Sequence, residues 1–376
     1  MVKNQKTTHG VKTMQINTDS IKNFLLRSKK LSKHSRHYLT GLISFQEINE
    51  CNGRRLLMQQ RTAWAKIVQS IKIHNGSDKI DPFMIDINTV NLQSLNTIND
   101  YTSVILVGVS DVSIDGVIFE KLPHLEENPV KNSDICSAVL YSHKQCIQIK
   151  SEYIKSVFSF TDPKNTSLAN IIVDDNNVYA INGQIACKQS VKDADYIANG
   201  VFIVPHWVKD LLPNKGTLRI GCIEKTYNAF QAIDWLGEEI CFVEMYGWCI
   251  FFKKEELPLP PIKDFFNNIL KDLHNGIKLD EEFKRQILLL IKRAKSKKKQ
   301  NMEVSLARKS ITFTIDNYSC SIEIEEQEEE RQIKLLTSIS DIEMLVKQLS
   351  KNDDIYIYLH NNMIVFDDNI RHSLLI

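Results

Sequence analysis

Three observations on the 376-residue sequence predict an α+β fold assembled from three copies of one unit. A strand-to-helix segment recurs at nearly equal spacing, the stretches between helices alternate apolar and polar residues, and polar, proline-containing segments separate the copies. At roughly 150 residues per domain the chain is too long for one ordinary core, so two or three domains are expected.

The recurring segment is Ile16–Leu25, Ile149–Phe158 and Leu279–Leu288, aligned without gaps at offsets of 133 and 130 (149 − 16 and 279 − 149). In each copy an apolar residue is followed three positions on by an acid, namely Asp19, Glu152 or Glu282. Two adjacent apolar residues then follow a basic one. This is a strand running into a helix whose first turn carries a carboxylate, where the aligned peptide dipoles favour negative charge.

The strands follow the same logic. Leu39–Ile43 and Leu168–Ile172 share the pattern L-x-x-[LI]-I and read as the next strand in copies one and two. A short later helix is marked by apolar residues three apart: Leu92 and Leu95, Val208 and Leu211, Ile342 and Leu345. Ser310–Ile315 and Cys320–Glu325 alternate with period two, as half-exposed antiparallel strands do. Pro129 within Glu126–Asp134, and Pro258, Pro260 and Pro261 within Leu257–Ile262, mark the boundaries. The expected division is a polar tail over 1–13 and three domains over 14–133, 134–258 and 259–376.

Composition bounds the function. Hydrophobic content of 43% and charged content of 25% are those of a soluble globular protein. No run of 18 apolar residues is present, so no membrane partner is expected. The first 13 residues are polar and basic, unlike a secretory signal, and a cytoplasmic location follows as the expectation. The eight cysteines show no C-x-x-C pair and read as reduced, mostly buried small side chains.

Signatures of phosphate-binding loops, serine hydrolases, zinc proteases and dinucleotide sites are all missing, so no enzyme activity and no cofactor or metal is expected. Asp174-Asp175, Asp353-Asp354 and Asp367-Asp368 sit between β-like runs beside Asn and read as hairpin turns. His34 and His37 lie in a basic segment that lacks further metal ligands. Trp207, Trp235 and Trp248 read as packing residues.

Net charge is only +1, but it is segregated. Residues 1–40 hold nine Lys/Arg against Asp19 alone, residues 292–299 hold six basic groups, and residues 323–330 hold six glutamates. One column of the repeat is basic in every copy: Lys22, Lys155 and Arg285. In copy three, Phe283, Ile287, Leu290, Ile291 and Ala294 form an apolar face at helical spacing, and Arg285, Lys292, Lys295 and Lys299 are expected opposite it. Copy one adds Lys29, Lys33 and Arg36, whereas copy two offers little beyond Lys155. Such stripes, not interleaved with aromatic residues, suit the phosphates of double-stranded DNA and not stacked single-stranded bases.

The repeat count, the strand-helix order and several local patterns resemble the bacterial sliding clamp, the beta subunit of DNA polymerase III. The patterns are Phe119–Pro129, with its Leu-Pro and acids; Ser167–Val173 followed by Val178–Gly183; and Phe202–Pro205 ahead of a helix. The resemblance runs from about Met14 to Ile376. It implies the DNA clamp fold, with two helices on one side of each domain and antiparallel sheets on the other, in a divergent clamp suited to a phage or plasmid. It also implies a homodimeric ring around double-stranded DNA, with DNA polymerase and a clamp loader as partners. A pocket for a partner's apolar peptide is implied at Leu168, Ile181, Gly183, Ile185, Leu374, Leu375 and Ile376, although the family's His-Arg after the glycine is Gln184-Ile185 here. The alternative from another class is a non-ring DNA-binding accessory protein of replication or recombination.

Overall fold

The computed structural model describes residues 11–34, 41–50, 53–76, 79–93, 101–124, 146–165, 168–191, 198–224, 239–245, 247–254, 261–271, 273, 276–307, 310–323, 333–349, 355–360, 363–367 and 371–375. In chain order the first elements are β1 (Lys12–Asn17), α1 (Thr18–His34), β2 (Leu42–Glu50), β3 (Gly53–Arg61), β4 (Ala65–Gly76), β5 (Phe83–Asp86), β6 (Thr102–Val107), β7 (Asp111–Ile114) and β8 (Val117–Glu120). Next come β9 (Cys146–Lys150), α2 (Ser151–Val157), β10 (Ile171–Asp175), β11 (Asn177–Ile181), β12 (Ile185–Ser190), β13 (Ala198–Val204), α3 (Val208–Leu211), β14 (Thr217–Glu224), β15 (Glu239–Met245) and β16 (Trp248–Lys253). The last are α4 (Ile262–Lys271), β17 (Ile277–Lys278), α5 (Glu281–Ser296), β18 (Asn301–Ala307), β19 (Ser310–Ile315), β20 (Tyr318–Glu323), β21 (Ile333–Ser338), α6 (Ile339–Leu349), β22 (Tyr356–His360), β23 (Met363–Asp367) and β24 (Arg371–Leu375).

Two compact units result: residues 1–151, 195–202 and 207–255 form the first, and 152–194, 203–206 and 256–376 the second. The first is organised by a twelve-stranded sheet in the order β8-β7-β6-β1-β4-β16-β15-β14-β9, with β3 joined to β4, β2 to β3 and β5 to β2. Helix α1 begins where Asn17 Oδ1 accepts the Ser20 backbone N–H at 3.0 Å, satisfying a donor that the first turn leaves unpaired. Its buried arc is Ile21, Phe24, Leu25, Ser28, Leu31 and Ser32. Burying each large apolar side chain stabilises the unit by about 1.5–3 kcal/mol. Gln60 on β3 ties down the helix by donating to the Ser28 carbonyl at 3.0 Å.

Hairpin β7-β8 closes through a two-residue turn, Asp115-Gly116, with φ of 49° and 82°. Positive φ at both positions matches the strand twist and suits an Asp-Gly pair. The Asp115 carboxylate also accepts the Val104 N–H at 2.8 Å and the Ser103 hydroxyl, binding the turn to β6.

The second unit holds a four-stranded sheet, β20-β19-β18-β21, and a sheet in the order β13-β10-β11-β12-β24-β23-β22-β17, to which β13 contributes Ile203 and Val204 from this unit. Helix α5 starts at Asp280, whose Oδ1 accepts the Phe283 N–H at 2.6 Å. Glu281 and Glu282 follow in the first turn. Phe283, Ile287, Leu290, Ile291 and Ala294 are all buried, as the helical spacing predicts, and Phe283 meets Phe313 of β19 with ring centroids 6.0 Å apart.

Several expectations shift. The strand expected over Leu39–Ile43 starts at Leu42, and the one over Leu168–Ile172 starts at Ile171. Leu168 instead closes a turn, its N–H bonding the Asn165 carbonyl and its carbonyl accepting the Asp162 N–H, both at 2.9 Å. Asp174 pairs with Asn177 across a hairpin turn, whereas Asp353, Asp354, Asp368 and Leu95 lie outside the described residues. The proline-rich boundary leads directly into α4, a helix not expected there. Its sequence signal is Ile262, Phe265, Phe266, Ile269 and Leu270 at i, i+3, i+4, i+7 and i+8.

Candidate nucleic-acid interface

On α1 the basic side chains divide by exposure. Lys33 is exposed, while Lys22 and Lys29 are half-buried, and Lys29 Nζ donates to the Ile87 carbonyl at 3.0 Å. Ser28 and Ser32 are small enough to join the buried arc, which centres it on Ser28 and leaves Lys22 and Lys29 on the flank. The outward face carries Asn23, Lys30 and Lys33. Lys30, which the repeat column did not single out, donates to the Asp210 carbonyl at 2.9 Å beside a 3.1 Å His34–Asp210 contact. Arg36 and His37 lie outside the described residues.

Arg27 is the other basic residue missed in α1. Its guanidinium lies 4.4 Å from the Trp248 ring centroid, and burial lowers its pKa to about 10. The wholly buried Trp248 face supplies a cation–π partner where water is scarce.

In the second unit Lys155 is half-buried on α2, and Arg285, Lys292 and Lys295 are exposed on α5. Arg285 forks onto Glu282, one helical turn earlier, at 2.8 and 2.7 Å. Hydrogen bonds from Arg285 and then Gln286 lower the Glu282 pKa to about 2, and the carboxylate raises that of Arg285. Lys295 is paired with Glu343 of α6. Lys299 does not continue the helical stripe as the spacing predicts. Helix α5 ends at Ser296, Lys298 has φ of 56°, and Lys299 turns to Asp316 at 2.9 Å, beside Lys297 at 3.3 Å. Both lysine hydrogen bonds hold the Asp316 pKa down. The stripe is thus a partly neutralised positive surface.

The residues implied as a partner pocket gather on β11, β12 and β24. Ile181 pairs with Ala186 across the β11-β12 hairpin, and Ile185 and Ala186 pair with Leu375 and Leu374. Gly183 has φ of 92°, a left-handed conformation that disfavours side chains, and Asn182 Oδ1 accepts the N–H groups of Gln184 and Ile185 at 3.0 and 2.8 Å. Leu168 lies alongside, its Cδ1 3.9 Å from where a Gly183 Cβ would sit. Ile376 lies outside the described residues.

Helix α4 alters this face. Its buried Ile262, Phe266 and Ile269 pack on Ile172, Tyr179, Ala186 and Val365, and Ile181 and Phe265 flank the same cluster. Ile185, by contrast, is wholly buried, so Ile181 and Ile185 do not line one open pocket.

Among the described residues no group of three metal-ligating side chains occurs, and no helix is long and apolar enough to cross a membrane.

No protein-family model and no curated protein matches the chain. Solved structures do. The Helicobacter pylori beta clamp bound to a DNA ligase peptide is similar at 12% identity with a TM-score of 0.65, covering 97% of this chain and 99% of that one. The DNA polymerase III beta subunit of Thermotoga maritima is similar at 10% identity and 0.65, covering 97% and 98%. The Pseudomonas aeruginosa sliding clamp bound to griselimycin is similar at 10% and 0.65, covering 98% and 99%. The chain has the DNA clamp fold along nearly its whole length.

Proposed function

We propose that this chain is a sliding clamp: two copies close into a ring around double-stranded DNA and tether a DNA polymerase to it, with a clamp loader supplying the ATP-driven opening. The likeness to clamps over at least 97% of both chains carries the reading. Three repeats per chain over 14–133, 134–258 and 259–376 then give six in the ring.

The ends of the sheets support closure by two copies. Among the described residues β8 pairs only with β7, and β20 only with β19, so each of these sheet ends has an edge that can template further pairing. Beside the first edge Leu106, Ser113 and Ile118 form one cross-strand row, with Leu106 39% and Ile118 64% exposed. Beside the second, Leu289 is 52% and Tyr318 40% exposed, and the Arg293 guanidinium covers the Tyr318 ring at 3.8 Å. Asp111 and Glu120 are exposed at the first edge, while Lys292 and Arg293, with Glu323 at the end of β20, are exposed at the second, so apolar surface faces apolar surface and basic groups are available to the acids of the first edge. A two-fold axis relating the copies makes this contact twice and closes the assembly.

The partly neutralised stripe suits a clamp. Retention is topological, so phosphate attraction has only to be weak and mobile, and Lys33, Arg285, Lys292 and Lys295, flanked by Lys22, Lys29 and Lys155, would supply it without reading bases. The deciding experiment compares retention of the loaded protein on nicked circular DNA with retention on the same DNA after linearisation. Rapid loss on linearisation is expected; equal loss from both forms would instead identify an open DNA-binding accessory protein.

A further inference from the structure

Cys222 on β14 and Cys241 on β15 oppose each other in direct register, and their Sγ atoms are 3.0 Å apart. Opposed residues of antiparallel strands have Cα atoms about 4.5–5.5 Å apart. That lies inside the roughly 4.4–6.8 Å that a disulfide bridges, so the ladder can accept the bond without moving a strand.

The two thiols differ in access. Cys241 is wholly buried, whereas Cys222 is half-buried and is the sulfur that a small reagent meets first. Burial, followed by the contact with Cys222, pushes the Cys241 thiol well up, so Cys241 keeps its proton until its neighbour has reacted. The Lys254 ammonium, held by Glu239 Oε2 at 2.8 Å, lies close enough for its charge to act on both sulfurs, and at Cys241 it offsets a small part of the effect of burial while the Glu239 carboxylate opposes it.

We propose that Cys222 and Cys241 form a redox-active dithiol site that a small disulfide, such as oxidised glutathione, converts to a disulfide within the sheet. The Cys222 thiolate attacks one sulfur of the reagent, forming a mixed disulfide and releasing one glutathione thiolate. That thiolate takes the Cys241 proton. Cys241 then attacks Cys222 Sγ and expels the second glutathione as a thiolate, which takes from water the proton that Cys222 released on ionising, so the protein loses two electrons and one external disulfide becomes two thiols. The bond covalently joins adjacent interior strands of the twelve-stranded sheet and closes the chain between residues 222 and 241 into a loop, which constrains the unfolded ensemble.

The test treats the full-length, fully reduced protein with oxidised glutathione, then alkylates it under denaturing conditions and maps peptides by mass spectrometry. The expected result is a Cys222–Cys241 linked peptide and two fewer alkylated thiols, with a higher urea midpoint than the reduced protein. Cys241→Ser is expected to stop at a stable glutathione adduct on Cys222, and Cys222→Ser to leave Cys241 unmodified. Accumulation of the Cys222 adduct in the wild-type chain without the internal link overturns the proposal, as does full alkylation of both cysteines after oxidation.

Discussion

Arg285 donates two hydrogen bonds, at 2.8 and 2.7 Å, to the carboxylate of Glu282, so a cation in the basic column of the repeat is already engaged within its own helix. Glu282→Gln removes the negative charge and leaves Arg285 to a phosphate. Tighter binding to duplex DNA is expected, with the salt slope steeper by about one phosphate contact. Unchanged affinity and slope would place Arg285 away from the DNA path.

The same pair makes a pH prediction. The Glu282 pKa is lowered from 4.5 to about 2, so its pairing is present above pH 4.5 and is lost as the pH falls through that lower value. Carbon-13 NMR titration of the glutamate side chains should find Glu282 still ionised at pH 3.5. A midpoint near 4.5 refutes the pairing.

Closure by two edges predicts complementation. Ile118→Asp and Leu289→Asp should each convert a dimer to a monomer by solution mass, because each breaks both copies of the contact. An equimolar mixture retains one intact edge of each kind. Mixed dimers are therefore expected to form through one interface yet slide off nicked circular DNA; retention equal to wild type would separate closure from these edges.

Helix α4 packs on the β11-β12 face beside Ile181, so Phe265→Ala should loosen its grip and expose more of that face. Phe265 is half-buried, which keeps the cost below that of truncating the fully buried Phe266, at about 3–5 kcal/mol for a buried Phe. The test uses the DNA ligase peptide seen with the Helicobacter pylori clamp as a probe: occlusion of this face by α4 predicts that the variant takes it up about tenfold more tightly than wild type, or by about 1.4 kcal/mol. Identical affinity for wild type and variant would mean that α4 does not occlude the peptide face.

Asp280 caps α5 through the Phe283 N–H, and Asp280→Ala should destabilise the protein by about 1 kcal/mol in urea unfolding while Asp280→Asn changes little. Equal losses from both variants would assign the effect to charge and not to the cap.

Elements whose cause is local can be read from neighbouring residues alone. Asp280 with Glu281 and Glu282 starts α5, the i, i+4, i+7 spacing of Phe283, Ile287 and Leu290 selects its buried face, and Asp115-Gly116 turns β7 into β8. Tertiary structure decided what depends on residues distant in the chain. Ser28 and Ser32 are buried on α1 beside the apolar residues, and that rotates the outward face from Lys22 and Lys29 toward Lys30. Lys295 and Lys299 look like free cations in sequence, yet meet Glu343 and Asp316 once α6 and the β19-β20 turn fold beside α5. The periodicity of Ile262–Leu270 signals a helix, but only the packing of Phe266 with Tyr179 and Ala186 reveals that it lies on the β11-β12 face beside Ile181. Cys222 and Cys241 have no motif spacing at all; strand register brings their sulfurs together, because hydrogen-bonded ladders oppose residues whatever length of chain lies between them.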